Sequence, residues 1–254
     1  WSAVKGHQAD IGGNVPGGYN PDATEVWQEA LRIPPVKVYE KGKLRKDVWG
    51  LIFANIRFDM VQHDMRAQMG ACTVGERRLL ELLGKYGIES FNAHKLALFD
   101  STRQMMESEI FKIPNGRYSG EGMVYYDGHH LGSEFTIRVD IDVYDKSIKF
   151  DYSRTDAQTD GFVNGTYTSS ASATILTLLQ MINPDIPHNE GMIEPLEIII
   201  PEGTILNASY PKATTFGNHL CPPNADAIMR ALAPAIPDNV TAGWNNLFCS
   251  LTSA

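Results

Sequence analysis

Phe135-Thr136-Ile137-Arg138-Val139-Asp140-Ile141-Asp142-Val143 alternates apolar and polar residues without a break. A period of two places one set of side chains on each face of an extended chain, so this stretch predicts a strand buried on one side and wet on the other. Asp145-Lys146 interrupts the pattern as a turn, and Ser147-Ile148-Lys149-Phe150-Asp151-Tyr152 resumes it, which predicts a hairpin. On the N-terminal side Met123-Val124-Tyr125-Tyr126 predicts a third strand, ending at Asp127-Gly128-His129-His130-Leu131-Gly132. An antiparallel β-meander therefore follows Pro114-Asn115-Gly116, where the period changes from helical to two.

Upstream of that point the spacing is helical. Asp47, Val48, Leu51, Ile52 and Ile56 mark a short amphipathic helix, and residues 59–84 mark a longer one carrying Met60, Met65, Met69, Leu79, Leu80 and Leu83. Methionines at that spacing predict core packing. Arg77, Arg78 and Lys85 suit the negative end of the helix, and Gly87 is its expected stop. A further helix is predicted over 92–111. Nearer the N-terminus, residues 1–4 read as the end of a buried strand, Asp22 as the cap of a short helix with Glu25 three residues on, and Pro34-Pro35 as its stop. Residues 36–39 read as a strand and 40–43 as a turn. Downstream of the meander the pattern predicts a buried helix over 169–182, a strand held between Pro195 and Pro201, a short strand over 204–207, and a helix over 224–233 capped by Asn224. The expected class is α+β, mixed helices with an antiparallel meander. It is organised as 1–116, a loop and helical region, and 117–254, a β-rich region with packed helices, the two forming one continuous domain.

At 254 residues and 43% hydrophobic, the chain can bury a substantial core. The formal net charge of −8, with no basic cluster interleaved with aromatics, argues against nucleic acid or an anionic membrane surface as partner. No apolar run approaches the roughly 20 residues a membrane span needs, and no signal peptide opens the chain. Cys72, Cys221 and Cys249 are odd in number and lack C-x-x-C spacing, which predicts buried thiols in a reducing compartment. A cytoplasmic protein is expected.

The chemistry concentrates in Lys5-Gly6-His7-Gln8-Ala9-Asp10-Ile11-Gly12-Gly13-Asn14-Val15-Pro16-Gly17-Gly18. An imidazole and a carboxylate three positions apart, followed by glycines that let backbone approach a ligand, can face one divalent cation. The same spacing also suits a loop in which His7 and Asp10 bond each other. Further along, His63 shares a helix face with Asp59 and could add a ligand, or simply make a local contact. His130 lies at a hairpin tip beside His129, but neighbours on an extended chain point apart, so one ion would not take both. Arg154, in the polar run 151–164, could hold a carboxylate or bicarbonate-derived group with its planar fork, or serve the loop's own backbone. No phosphate-cradling Gly-rich loop and no Gly-x-Ser-x-Gly elbow is present.

His7-Gln8-Ala9-Asp10-Ile11-Gly12-Gly13 with Pro16-Gly17-Gly18 resembles the His-x-Ala-Asp-x-Gly-Gly and Pro-Gly signature of the hydantoinase B family. That family includes the matching half of 5-oxoprolinases and the large subunits of ATP-dependent acetone and acetophenone carboxylases. The resemblance continues through Leu31-Arg32-Ile33-Pro34-Pro35-Val36-Lys37, Asn55-Ile56-Arg57 and Asp64-Met65-Arg66-Ala67-Gln68. It extends to Asp151-Tyr152-Ser153-Arg154-Thr155-Asp156-Ala157-Gln158 and Pro201-Glu202-Gly203-Thr204-Ile205-Leu206-Asn207, so six blocks fall in order. Lys5-Gly6-His7-Gln8 looks closer to the ketone carboxylase branch than to the hydantoinases.

The resemblance implies a subunit of an ATP-dependent ketone carboxylase, a ligase working in a hetero-oligomer. A hydantoinase A-like partner subunit would use ATP to activate bicarbonate and the ketone's enol. This subunit would hold a divalent metal, Zn or Mn, as Lewis acid in a cavity shielded from water. Two alternatives stand beside it: ATP-dependent hydrolysis of a cyclic amide such as a hydantoin, oxoproline or lactam, and a non-catalytic scaffold that completes a partner's site. By the same resemblance the block 151–164 lies near the interior cleft. His7 and Asp10 carry over as metal ligands. The remaining ligands in metal-binding relatives come partly from a segment preceding Trp1 and partly from a His near the position of Arg32. Arginine does not ligate a cation, so the site is either incomplete, or recruits His63 or His130, or has become an anion site. Family members extend further on both sides, so an internal fragment of a larger hydantoinase B-like subunit is expected.

Overall fold

The computed structural model describes residues 2–241 and 243. The chain divides into two compact units, 1–95 and 96–254, with the division inside a helix.

In the first unit, β1 (Tyr39–Glu40) and β2 (Lys43–Leu44) form a two-stranded ribbon across Lys41 and Gly42. Both turn residues have positive φ, 50° and 74°, the geometry that matches the twist of a tight hairpin. The turn stands where expected, but the strand begins at Tyr39 rather than Val36, and Val38 joins the ribbon only through its carbonyl, which accepts the Arg45 N–H at 2.8 Å. Residues 2–4 carry no strand and are exposed, and Trp1 lies outside the described residues. Asp22 caps no helix: the local element is a 3-10 turn, Val26–Gln28, and it is Gln28 Oε1 that accepts the N–H groups of Thr24 (2.7 Å) and Glu25 (3.1 Å). Helix α1 (Lys46–Phe53) buries Trp49 and Ile52.

Helix α2 (Met60–Tyr86) ends at Gly87, whose φ of 78° no β-branched residue would tolerate, and α3 (Ile88–Ile110) starts directly after it. Gly70 and Gly75 lie within α2 without breaking it. The expectation of a methionine core is corrected here: Val61 is the one buried residue of α2 among those described, and Met60 is exposed. Helical spacing fixed which residues share a face, not whether that face is covered.

In the second unit, β3 (Gly116–Tyr125), β4 (Glu134–Tyr144) and β5 (Ser147–Asp151) form the expected meander, and β6 (Leu196–Ile199) adds to β5 in parallel. The parallel strand departs from a purely antiparallel sheet because residues 152–195, too long for a hairpin, make a crossover. Ile137, Val139, Ile141 and Val143 are fully buried, as the period of two requires, but the other face is not wet as expected. Thr136 and Asp140 are buried and Arg138 and Asp142 half-buried, because the polar side chains are taken up by ion pairs and hydrogen bonds. Helix α4 (Tyr167–Ile182), capped by Thr166, lies within the crossover and buries Leu178 and Leu179. The short helix α5 (Glu190–Ile193) meets α3 at Gly191, where Asn189 donates to Thr102 Oγ1 at 2.8 Å. Residues 204–207 form a turn with isolated bridges rather than a strand.

Helix α6 (Cys221–Leu232) covers the apolar face of the sheet and begins three residues before Asn224. Pro222 and Pro223 stand in its first turn, where a missing N–H costs nothing. Asn224 is therefore no cap: wholly buried, it donates to Ser170 O (3.3 Å) and Thr174 Oγ1 (3.2 Å) and ties α6 to α4. Cys72 and Cys221 are free thiols but only half-buried, short of the burial expected, and Cys249 lies outside the described residues. Among the described residues no helix is long and apolar enough to cross a membrane.

Helix α6 sits on β3 with almost no clearance. A Cβ at Gly120 would lie 2.0 Å from Ala227 O, and one at Gly122 would lie 1.9 Å from Pro223 O. Gly120→Ala is therefore expected to cost about 1–3 kcal/mol, because backbone rather than a flexible side chain must yield. Gly84→Ala, in open space on α2, should instead stabilise by about 0.5–1 kcal/mol. Urea unfolding of the two variants checks the contrast, and equal midpoints would refute it.

Candidate active site: the glycine loop and its carboxylate clasp

The glycine loop is built around Asp10. Its carboxylate is 8% exposed and accepts the N–H of Gly12 on Oδ1 and of Gly17 on Oδ2, both at 2.9 Å. Arg57 approaches Oδ1 to 3.6 Å and also donates to Gly13 O and Val15 O. Burial pushes the Asp10 carboxyl upward, but the Gly17 and Gly12 N–H groups and the Arg57 charge outweigh it and hold it below its ordinary value. Gly12 and Gly13 have φ of 87° and 90°. A Cβ on them would lie 2.9 Å from Asn55 O and 2.4 Å from Glu29 O, so larger residues are shut out twice over.

The blocks picked out in the sequence meet here. Leu31 N donates to Ile11 O at 2.8 Å, Arg57 grips the loop, and the side chain of Gln68 lies against the backbone of Gly6. In the second unit the remaining two blocks pair with each other: Gln158 N donates to Gly203 O (2.9 Å) and Ile205 N to Asp156 O (3.0 Å).

His7 is exposed, three residues from the buried Asp10, so the two side chains sit in different surroundings. Gln8 Oε1, next to His7, is buried without a partner. His63 and Arg32 are exposed. Among the described residues no three His, Cys, Asp or Glu side chains are grouped to hold a metal. Zinc takes four ligands. Two donors, one of them already bonded to backbone amides, do not fit a closed metal centre by themselves.

His130 is held differently. Its Nδ1 lies 2.8 Å from Asp127 Oδ2, while the His129 and His130 N–H groups donate to Asp127 Oδ1 at 3.0 and 2.8 Å. Asp127 is wholly buried and also accepts from Thr159 Oγ1. Burial raises its carboxyl, but Thr159, His130 and the two amides hold it well below the usual range, and Asp127 in turn raises His130. Arg154 does clasp a carboxylate with both arms of its fork, and the carboxylate is the chain's own Asp140: Nε to Oδ2 is 2.8 Å and Nη2 to Oδ1 is 2.6 Å. That guanidinium is engaged. Arg154 and Ser119 hold Asp140 well below the usual carboxylate range against its burial. Sequence reading missed the roles of Arg57, Asp127 and Thr159. The signal for Asp127 was present as an Asp-Gly after a strand, where the carboxylate can bond the next amides.

The chain belongs to the Hydantoinase B/oxoprolinase family, which it matches over residues 1–254. It is 38% identical to the caprolactamase subunit beta of Pseudomonas jessenii over 97% of its own length and 42% of that protein. The crystal structure of the ATP-dependent caprolactamase from that organism superposes with a TM-score of 0.88 at 36% identity, covering 94% of this chain and 42% of that one. A 5-oxoprolinase of Dictyostelium discoideum is 29% identical over 86% of this chain and 18% of its own. Nucleotide-free acetone carboxylase superposes with a TM-score of 0.85 at 19% identity, over 95% of this chain and 34% of that one, a likeness of fold alone. The chain thus spans less than half the length of these relatives. The expected kinship holds at the level of the family, with a caprolactamase subunit and a 5-oxoprolinase among the relatives found by sequence.

Asp10, Asp127 and Asp140 all sit below the ordinary carboxylate value of 3.8 in the folded chain. They bind protons less readily folded than unfolded, so the stability they lend is complete above that range and lost as pH falls through the folded values. The melting temperature should drop as pH falls below about 5, and Asp140→Asn should lose less over the same interval. A gap between the two proteins that does not narrow with acid would refute this.

Proposed function

We propose that the chain is part of the B-type subunit of an ATP-dependent enzyme that hydrolyses a cyclic amide, with ATP held by a hydantoinase A-like partner. The observation that carries this reading is the 38% identity to a caprolactamase subunit across 97% of the chain. The ketone carboxylase reading, with bicarbonate as co-substrate, rests on fold likeness at 19% identity. Opening an unstrained amide ring gains little free energy, and ATP cleavage in a partner subunit would drive it.

Within this reading Asp10 and Arg57 shape the glycine loop, and exposed His7 is the side chain free of that structural task. His7 and Asp10 would be this chain's share of a divalent-metal site, Zn or Mn, with further donors from outside the groups described. The full complex, given ATP and a panel of caprolactam, hydantoin and 5-oxoproline, should open one of these rings without bicarbonate. Activity only with bicarbonate and acetone or acetophenone would turn the assignment to carboxylation.

His7→Ala separates a functional loop from a scaffold. As a surface change it should move stability by less than about 0.5 kcal/mol. Metal content, read by elemental analysis, and turnover should both fall, by about tenfold or more for turnover. Full activity with unchanged metal would favour a scaffold.

A further inference from the structure

The N-terminal segment of the first unit runs along α2 against the direction of the helix. Gly6 lies on the side chain of Gln68. Four residues upstream, Ser2 Oγ donates to Cys72 O at 3.1 Å and Cys72 Sγ donates back to Ser2 O at 3.9 Å. Gly75 lets the strap come close, since a Cβ there would stand 3.4 Å from that of Ser2. Beyond Ser2 the same helix stripe continues through Leu79 and Leu83, at the four-residue spacing that keeps side chains on one face. Both are half-buried, while the flanking Leu82 and Tyr86 are 46% and 54% exposed. The stripe ends at a hollow of about 360 Å³ lined by Leu82, Tyr86, Ser90, Phe91 and His94.

A contiguous apolar face of this kind marks a surface that something covers. What covers it follows from continuity: the strap already occupies the first half of the stripe, and at Ser2 its N-terminal direction leads onto the second half. The reach is short. From Gly75 to Tyr86 the helix rises about 16 Å, a span that about five residues of extended chain would cover. An extended strap turns every second side chain toward the helix, so apolar residues at alternate positions would meet Leu79, Leu83 and the hollow. This chain spans 42% of the length of the caprolactamase subunit it matches. We propose that the face from Leu79 to Tyr86, with its hollow, seats the polypeptide immediately preceding residue 1 in the full-length subunit, as a continuation of the strap. The inference rests on the reading above that this chain is part of a longer B-type subunit, and not on which reaction that subunit performs.

The test is the rate at which a water-soluble maleimide labels Leu82→Cys, read at that residue by peptide mass spectrometry. It is measured in the full-length subunit alone, in its natural complex, and in a subunit lacking only about ten residues before Trp1. The expected result is slow labelling in the first two and labelling about tenfold faster or more in the trimmed subunit. Fast labelling of the full-length subunit alone with protection only in the complex would overturn the proposal, because a partner or a second copy would then be the cover. Slow labelling after trimming, or fast labelling in all three, would overturn it as well. Where the trimmed subunit does not fold, single cysteines placed before Trp1 in the full-length Leu82→Cys subunit take its place. Oxidative cross-links to Cys at position 82 from alternate positions within about six residues support the seat, and none at any of them overturns it. Turnover only with bicarbonate and a ketone would overturn the cyclic-amide reading, while the labelling contrast would still support the seat.

Discussion

A carboxylate taken out of water has to be met by donors, and three aspartates impose that condition on this chain. Asp10, Asp127 and Asp140 are each 8% exposed or less. Asp10 is answered by two loop amides with Arg57 nearby, Asp127 by two amides, a histidine and a threonine, and Asp140 by the fork of Arg154 with Ser119. In each case the demand for donors gives a connecting segment its shape. Remove the charge and the segment loses the reason for its conformation.

The same condition explains how far the sequence could be read. Alternation in 135–143 and 147–152 announces the meander, because a strand buried on one face leaves a signature in every second residue. Gly87 announces the end of α2 for an equally local reason. What escaped is set at a distance. The parallel pairing of β6 depends on where α4 carries the chain. The partner of Asn224 is α4, not its own helix terminus. The exposure of α2 depends on what covers it, which spacing along one helix does not encode. His7 and Asp10 were legible as a motif, yet the structure gives them unlike tasks, one knotted into backbone and one at the surface.

The six blocks of resemblance sort by the unit in which they fold. Four meet at the glycine loop, through Leu31, Arg57, Gln68 and Asp10, and two pair as 156–158 with 203–205. Both assemblies consist of backbone held at close range, by glycine on one side and by amide-to-carbonyl bonds on the other. Their spacing along the chain is therefore hard to alter without rebuilding the loop.

The lone parallel strand sets an order of events for the sheet. β3, β4 and β5 are joined by short turns and can zip from neighbour to neighbour. β6 reaches β5 only after residues 152–195 have closed a long loop, and that entropy is not repaid until α4 has docked. The β6 edge of the sheet is thus its last part to assemble, and its pairing waits on closure of the crossover rather than on an adjoining hairpin.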